Sequence, residues 1–439
     1  MLYIENTKKG AKKNKEEEYL TQKHKKLRKL QAKQKRKERK MYTYDVKTRT
    51  LTVTQYNDLW FYHASPEEKP NFIQKIVIND TEPIETSRLC QLLSEAEYQT
   101  VEDIEICADN PQYESIDGIV YTKPLRWAKF CPKGKMGSVH IAEGTGKIRI
   151  GAFRRCKISN VYMPDSVKTI EEGAFTFCSL LKEVCGGKNV ETIGRLAFYR
   201  CKSLESFCFG NALQEIADQA FEGTQLKQVS FGNKLERIGN EAFYGCDIKN
   251  VTLPESIMEI GVHALLRVTE VHMKTYHNTI LTACTDSSSV DSDPTAKFTV
   301  LYLENHPPIV IPKYVLNIDK ESLDADIKQI IETGESKNLR KYAGNMDNVV
   351  AVAIKSYQLC RTEASCQEVE KLANYAAERA IAYDDVLHES FFVRMIQMDI
   401  WPKTALEKML KVAIKYQRTE EVACILEKMK QMDNQDFAL

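Results

Sequence analysis

The chain has 439 residues, 43% of them hydrophobic, with 62 basic side chains against 61 acidic ones. That length leaves room for two or three domains, and the near-equal totals exclude a strongly one-signed chain. No run of 18 apolar residues occurs, and Met1–Glu5 lack a charged start ahead of an apolar core, so neither a membrane span nor a signal peptide is expected.

The charge is unevenly placed. Residues 1–40 hold 16 Lys and Arg against 5 Glu, a net +11, which leaves 46 basic and 56 acidic residues in the remainder, a net −10. From Lys8 to Lys40 only Leu20, Leu27 and Leu30 form a thin apolar stripe. This is read as a basic, partly helical or disordered arm, either simply solvated or reaching for nucleic acid or another polyanion. The 13 cysteines are odd in number and contain no C-x-x-C, so neither a zinc ribbon nor a thioredoxin-like site is indicated. A reducing cytoplasm is the expected location.

Residues 41–112 read as an N-terminal cap with irregular repeats. Tyr42–Val46 and Leu51–Thr54 alternate as a hairpin, and Leu59-Trp-Phe-Tyr62 suggests a third strand. Ile73-Ile76-Ile78 and Val101-Ile104-Ile106 are two apolar triplets separated by a helical run over residues 87–97. Residues 113–274 are the centre of the chain, because from Ile148 one pattern recurs every 22 or 23 residues. One column is Ile148, Ile170, Ile193, Ile216, Ile238 and Ile260. Another is Phe153, Phe175, Phe198, Phe221 and Phe243, each after an alanine, with Leu265 in the sixth slot.

Between these columns run the triplets Ile158-Val161-Met163, Leu181-Val184-Gly186, Leu204-Phe207-Phe209, Leu226-Val229-Phe231, Ile248-Val251-Leu253 and Val268-Val271-Met273. Each triplet predicts a short strand with alternate residues inward, and no single copy can bury its Phe alone. A period of this length signals a solenoid whose copies stack as a parallel ladder. The predicted fold is therefore an α/β solenoid with short parallel strands, followed by an all-α C-terminal domain.

Residues 113–141 insert a strand pair, I-D-G-I-V-Y at 116–121 and Leu125–Phe130, then Pro132-Lys133-Gly134-Lys135 ahead of Val139-His140-Ile141. These phrases, with the repeat I-P-x-x-V-x-x-I-x-x-x-A-F-x-x-C, resemble BspA-like leucine-rich repeat proteins of the Treponema pallidum type over residues 72–273. The resemblance implies a binding or adhesion scaffold with no common ligand. Cys156, Cys178, Cys201 and Cys246 fall three residues after the column Phe, with Thr224 in the remaining copy. They are read as small buried side chains.

Residues 275–318 are expected to be a linker, including the polar run 286–294, followed by closing strands at 297–303 and 309–311. From 319 to 439 the apolar period turns helical, with Ser365–Glu368 and Thr404–Glu407 as capping boxes. No catalytic signature, metal-ligand spacing or cofactor motif is found. Gly144-Thr-Gly146-Lys147 lacks the leading glycine and trailing Ser or Thr of a phosphate loop and is assigned to a turn.

The expected function is a non-enzymatic, cofactor-free scaffold that binds a partner protein, the identity of which the sequence does not name. The alternative is a nucleic-acid or polyanion-associated protein acting through residues 8–40. Strand alternation points the residue between the second and third anchors outward. The candidate partner-binding stripe is thus His140, Tyr162, Cys185, Cys208, Ser230, Thr252 and His272, open to a partner or covered by the chain's own helical tail.

Overall fold

The computed structural model describes residues 42–436 except 56, 60–71, 85–90, 92, 94–97, 288–296, 317–318, 335–336, 338, 344–345, 388–390 and 398–400. The chain divides into two compact units, Met1–Met136 and Gly137–Leu439.

In the first unit, β1 (Tyr42–Asp45) and β2 (Thr50–Val53) form the antiparallel hairpin. Beyond it, β2 runs parallel to β3 (Lys75–Ile78), and β3 parallel to β4 (Asp103–Ile106), so the hairpin's second strand is itself the first rung of a ladder. Leu51, Ile76 and Ile104 lie in register, as do Val53, Ile78 and Ile106, and all are buried with Ile73, Tyr98 and Val101 in one core. Of the third strand expected at 59–62, only Leu59 lies within the described residues, and it ends a helical turn. Residues 57–59 make a helical turn, closed by Gln55 N–H on the Asp58 carboxylate at 3.0 Å and by Asp58 N–H on Gln55 O at 2.9 Å. Residues 60–62, most of the helical run expected at 87–97, and the arm lie outside the described residues.

The inserted segment is a three-stranded meander, β5 (Tyr113–Ile116), β6 (Ile119–Thr122) and β7 (Trp127–Phe130). Its first turn is Asp117-Gly118 with φ of 50° and 73°, the doubly left-handed geometry of a two-residue hairpin.

In the second unit, strands alternate between two faces of the repeats. They are β8 (Met136–His140), β9 (Lys147–Ile148), β10 (Lys157–Met163), β11 (Thr169–Ile170), β12 (Glu183–Gly186), β13 (Thr192–Ile193) and β14 (Ser206–Phe207). They continue as β15 (Glu215–Ile216), β16 (Arg237–Ile238), β17 (Asn250–Thr252), β18 (Glu259–Ile260) and β19 (Glu270–Met273). The column isoleucines stand on strands of their own. They form a second parallel ladder, β9, β11, β13, β15, β16 and β18, in register from Ile148 to Ile260.

Between the two faces the column phenylalanines stack, with centroids 4.7, 5.0, 5.1 and 5.4 Å apart from Phe153 to Phe243. Their planes lie within 16° of parallel, and none is more than 3% exposed. Each Phe N–H donates to the alanine carbonyl of the next copy, as from Phe198 to Ala220 at 2.7 Å, so the Ala-Phe pair carries its own hydrogen-bond ladder.

The buried cysteines bind the copies together too. Cys178, Cys201 and Cys246 donate their thiols to the carbonyls of Phe153, Phe175 and Phe221, at 2.9, 3.1 and 3.3 Å. Thr224, in the odd copy, places its hydroxyl 3.1 Å from Cys246 Sγ. Burial pushes the Cys246 thiol up to about 11. The twelve described cysteines are all free thiols. Thr145 closes the Gly144–Lys147 turn on Ala142 O at 2.6 Å, immediately before β9.

On the triplet face the ladder is broken. One sheet runs β8, β10, β12, β14; the other begins at β17. The fourth triplet, Leu226-Val229-Phe231, lies between them and forms no strand, and residues 227–231 make no backbone hydrogen bond to either neighbour. Around the break, Phe207, Phe209 and Phe231 stand at anchor slots that hold Val, Met, Leu or Gly in other copies. Phe207 and Phe209 meet tilted at 4.7 Å, and Phe209 packs edge-on against Phe231 at 5.3 Å and Phe221 at 5.4 Å. Amides 227–231 are expected to exchange with solvent roughly tenfold or more faster than those of 161–163 and 251–252 in hydrogen-exchange mass spectrometry. Equal protection would restore the unbroken ladder.

The array is closed from its C-terminal side. Helix α1 (Thr279–Cys284) accepts His263 N–H on Thr282 O and Leu265 N–H on Ala283 O, both at 3.0 Å, continuing the Ala-Phe ladder. Strand β20 (Phe298–Leu303) adds parallel to β19, and β21 (Ile309–Pro312) antiparallel to β20. Asp286, expected in the linker, instead bridges to Tyr314. Helix α2 (Lys320–Thr333) ends on left-handed Gly334, and α3 (Met346–Cys360) packs Val352 against Val300 and Val310.

The remaining helices, α4 (Glu363–Leu387), α5 (Phe391–Gln397), α6 (Lys403–Lys415) and α7 (Thr419–Asp436), share a core around Ala373, Phe392, Trp401 and Met409. Neither expected capping box forms. Helix α4 starts earlier, with Thr362 Oγ1 accepting Ser365 N–H at 3.1 Å, and Thr404 lies within α6, bonded to Glu370.

Candidate interaction surface

Because strand side chains alternate, the anchors that fill the core leave the intervening residues outside. His140, Tyr162, Cys208, Ser230 and Thr252 are exposed, and Cys185 and His272 are half-buried. Among the described residues, the tail's helices leave the first five open to solvent. Tyr162 lies in register with Cys185, and Thr252 with His272. The structure does not bring all seven into one ladder: Ser230 stands in the break, dividing the stripe into His140–Cys208 and Thr252–His272 portions.

Each portion ends in an imidazole–phenol stack. His140 lies on Tyr162 with centroids 4.6 Å apart and planes 15° apart; His272 lies on Tyr302 at 4.5 Å and 6°. Tyr302 is a stripe residue that the repeat count missed, because the segment 286–297 interrupts the period. The signal was present in the alternation of Phe298–Leu303, which sets Leu301 beside Val271. Thr252, His272 and Tyr302 border a shallow depression completed by Pro254, Lys274 and Glu304.

A second outward column runs beside the first: Ser138, Asn160, Glu183, Ser206, Gln228, Asn250 and Glu270. The two columns together contain no Lys or Arg. Side-chain amides cap the two acids, Asn160 on Glu183 at 3.3 Å and Asn250, with its amide nitrogen turned inward, on Glu270 at 3.1 Å. Burial, with the Glu183 carboxylate and the Cys208 thiol beside it, pushes the Cys185 thiol up to about 12.

The other ladder is laced with ion pairs between copies. These are Arg149–Glu171 at 2.7 Å, Lys168–Glu191 at 3.0 Å, Arg195–Glu172 at 3.3 Å, and Arg237 with Glu215 at 3.6 Å and Glu259 at 3.1 Å. The two outward columns of the triplet face, by contrast, carry only Glu183 and Glu270 as acids and no Lys or Arg.

Among the described residues, no group of three His, Cys, Asp or Glu side chains is placed to hold a metal ion, and no helix is long and apolar enough to cross a membrane. A cavity of about 290 Å³ lies where the β20–β21 turn meets α3 and α4, floored by Val310, Leu339 and Val352. Its charged groups are already engaged, Lys337 with Asp326 at 2.7 Å and Arg340 with Glu368.

With the two-faced repeat and its columns established, comparison with known proteins gives the family. The BspA type leucine rich repeat region matches residues 146–272 in six copies. This segment is a BspA-type leucine-rich repeat array.

Solved structures similar to the chain include bacterial leucine-rich repeat proteins. One is a leucine-rich repeat protein from Eubacterium ventriosum ATCC 27560, 16% identical, covering 49% of this chain and 62% of that one, with a TM-score of 0.33. Another is a leucine rich cell surface protein from Faecalibacterium prausnitzii A2-165, at 19%, with coverages of 50% and 56% and a TM-score of 0.33. The T. pallidum leucine rich repeat protein is 18% identical, with coverages of 53% and 67% and a TM-score of 0.21. The chain thus spans less than two thirds of the first two. No curated protein is a significant match. The BspA-type array supplies the triplet strands, and hence both outward columns, from β10 to β19.

Proposed function

We propose that the protein is a non-enzymatic scaffold that captures a partner protein on the triplet-strand face of its BspA-type array. Leucine-rich repeat proteins are generally interaction or surface proteins. The observation that carries the reading is the pair of outward columns without a single Lys or Arg, bordered by His140–Tyr162 and His272–Tyr302, on a molecule whose other ladder is dense in ion pairs. Interface cores deplete charge and enrich tyrosine, and the two columns hold no Lys or Arg and end beside Tyr162 and Tyr302. Its free cysteines suit a reducing compartment, and the reading places the protein in the cytoplasm. Arg at both Ser230 and Thr252, which point to solvent, is expected to leave the fold intact and abolish partner capture; capture that survives would move the partner to another face.

A second reading rests on the +11 charge of residues 1–40, which suits a polyanion such as nucleic acid. Full-length protein is then expected to be retained on heparin with steep salt dependence, each neutralised phosphate-like contact adding nearly one unit to the log–log slope. Equal retention of a version beginning at Met41 would leave the arm without that role.

A further inference from the structure

Cys185 and Cys208 are neighbours on the triplet face. Val184 pairs with Phe207 in the parallel register, and Cys208 N–H donates to Val184 O at 3.1 Å, which carries the register one residue further. Both thiols therefore point to the same side from adjacent rungs, Cys185 half-buried and Cys208 exposed. They differ from Cys178, Cys201 and Cys246, which are buried and committed to phenylalanine carbonyls. The charged side chain beside them is the Glu183 carboxylate, next to the Cys185 thiol.

The spacing selects among the things two adjacent thiols do. Equivalent atoms on neighbouring strands stand about 4.8 Å apart. A disulfide needs its Cβ atoms about 3.8 Å apart, closer than parallel rungs hold them. Two metal–sulfur bonds of about 2.3 Å laid end to end span roughly 4.6 Å, close to the rung spacing. Tetrahedral zinc needs four donors, and among the described residues not even three metal-binding side chains converge. A soft ion content with two thiolates fits where zinc does not.

We propose that Cys185 and Cys208 form a two-thiol site on the triplet face for a single Cu(I) ion, held in linear coordination between neighbouring rungs. Binding breaks two S–H bonds and makes two S–Cu bonds. The two protons pass to solvent and the copper stays Cu(I), so no oxidant or reductant is required. The site is independent of whether this face also captures a protein.

The test uses the full chain, reduced and handled without oxygen, titrated with Cu(I) supplied as its acetonitrile complex in the presence of a chromogenic Cu(I) chelator. The wild type is expected to withdraw one equivalent from the chelator and to show thiolate-to-copper charge-transfer absorption in the near ultraviolet. Cys185→Ser and Cys208→Ser, each at a solvent-facing position, are each expected to bind at least tenfold more weakly with unchanged circular dichroism. Cys360→Ser, at an exposed cysteine on α3, is expected to behave as wild type. Failure of the wild type to withdraw copper would overturn the site, as would undiminished binding by either single variant or tighter binding of Zn(II) than of Cu(I).

Discussion

Replacing Phe198 with alanine is expected to destabilise the array by roughly 3–5 kcal/mol, the usual cost of truncating a fully buried aromatic ring. Its ring is stacked on Phe175 at 5.0 Å and Phe221 at 5.1 Å, and meets Phe207 edge-on at 5.2 Å. Three neighbours lose a face at once, and a side chain that is 0% exposed leaves a void with no route for water. Because each copy of a solenoid is held only by its neighbours, the loss is expected to loosen the copies on both sides. Denaturant unfolding with hydrogen exchange reads both the size and the spread; an unchanged unfolding curve would refute the column.

The second large effect is expected at Gly186. This residue fills the third anchor slot of its triplet, where other copies place Met, Phe or Leu, so sequence pattern alone recommends a larger side chain there. The structure forbids one. Gly186 has φ +83°, and a Cβ built on it would stand 2.1 Å from Met163 O on the neighbouring strand. Gly186→Ala is therefore expected to cost roughly 2–3 kcal/mol, from left-handed strain and from forcing β10 and β12 apart. A variant as stable as wild type in thermal unfolding would show that the strand relaxes freely at this rung.

Both cases show what the sequence could and could not carry. The isoleucine and phenylalanine columns were legible because a fixed period repeats the same burial in every copy, and the stack of parallel rings is its direct result. The break at residues 227–231 was not legible. Leu226, Val229 and Phe231 satisfy the apolar spacing as well as any other triplet, and spacing within one copy does not say whether its backbone pairs with the neighbouring copies. The helix starts failed for a related reason: Ser365 and Glu368 match a capping box, but Thr362 three residues earlier reaches the Ser365 amide first.

For the candidate surface, alternation placed all seven side chains on the solvent side. It gave no hint of the gap at Ser230, nor of Tyr302, which joins the face from beyond the interrupted period. The ring stacks at His140 and His272 depend on register between strands, which no single strand's pattern contains.

The measurement that bears most directly on the account is quantitative partner capture by two matched double variants. Ser230→Arg with Thr252→Arg charges the triplet face. Thr169→Arg with Thr192→Arg places the same charge on adjacent rungs of the isoleucine ladder, in register with each other. Both pairs are compared with wild type after circular dichroism has confirmed folding. Capture lost in the first pair and retained in the second is the predicted result; capture retained in the first, or lost equally in both, would contradict the assignment of the partner to the triplet face.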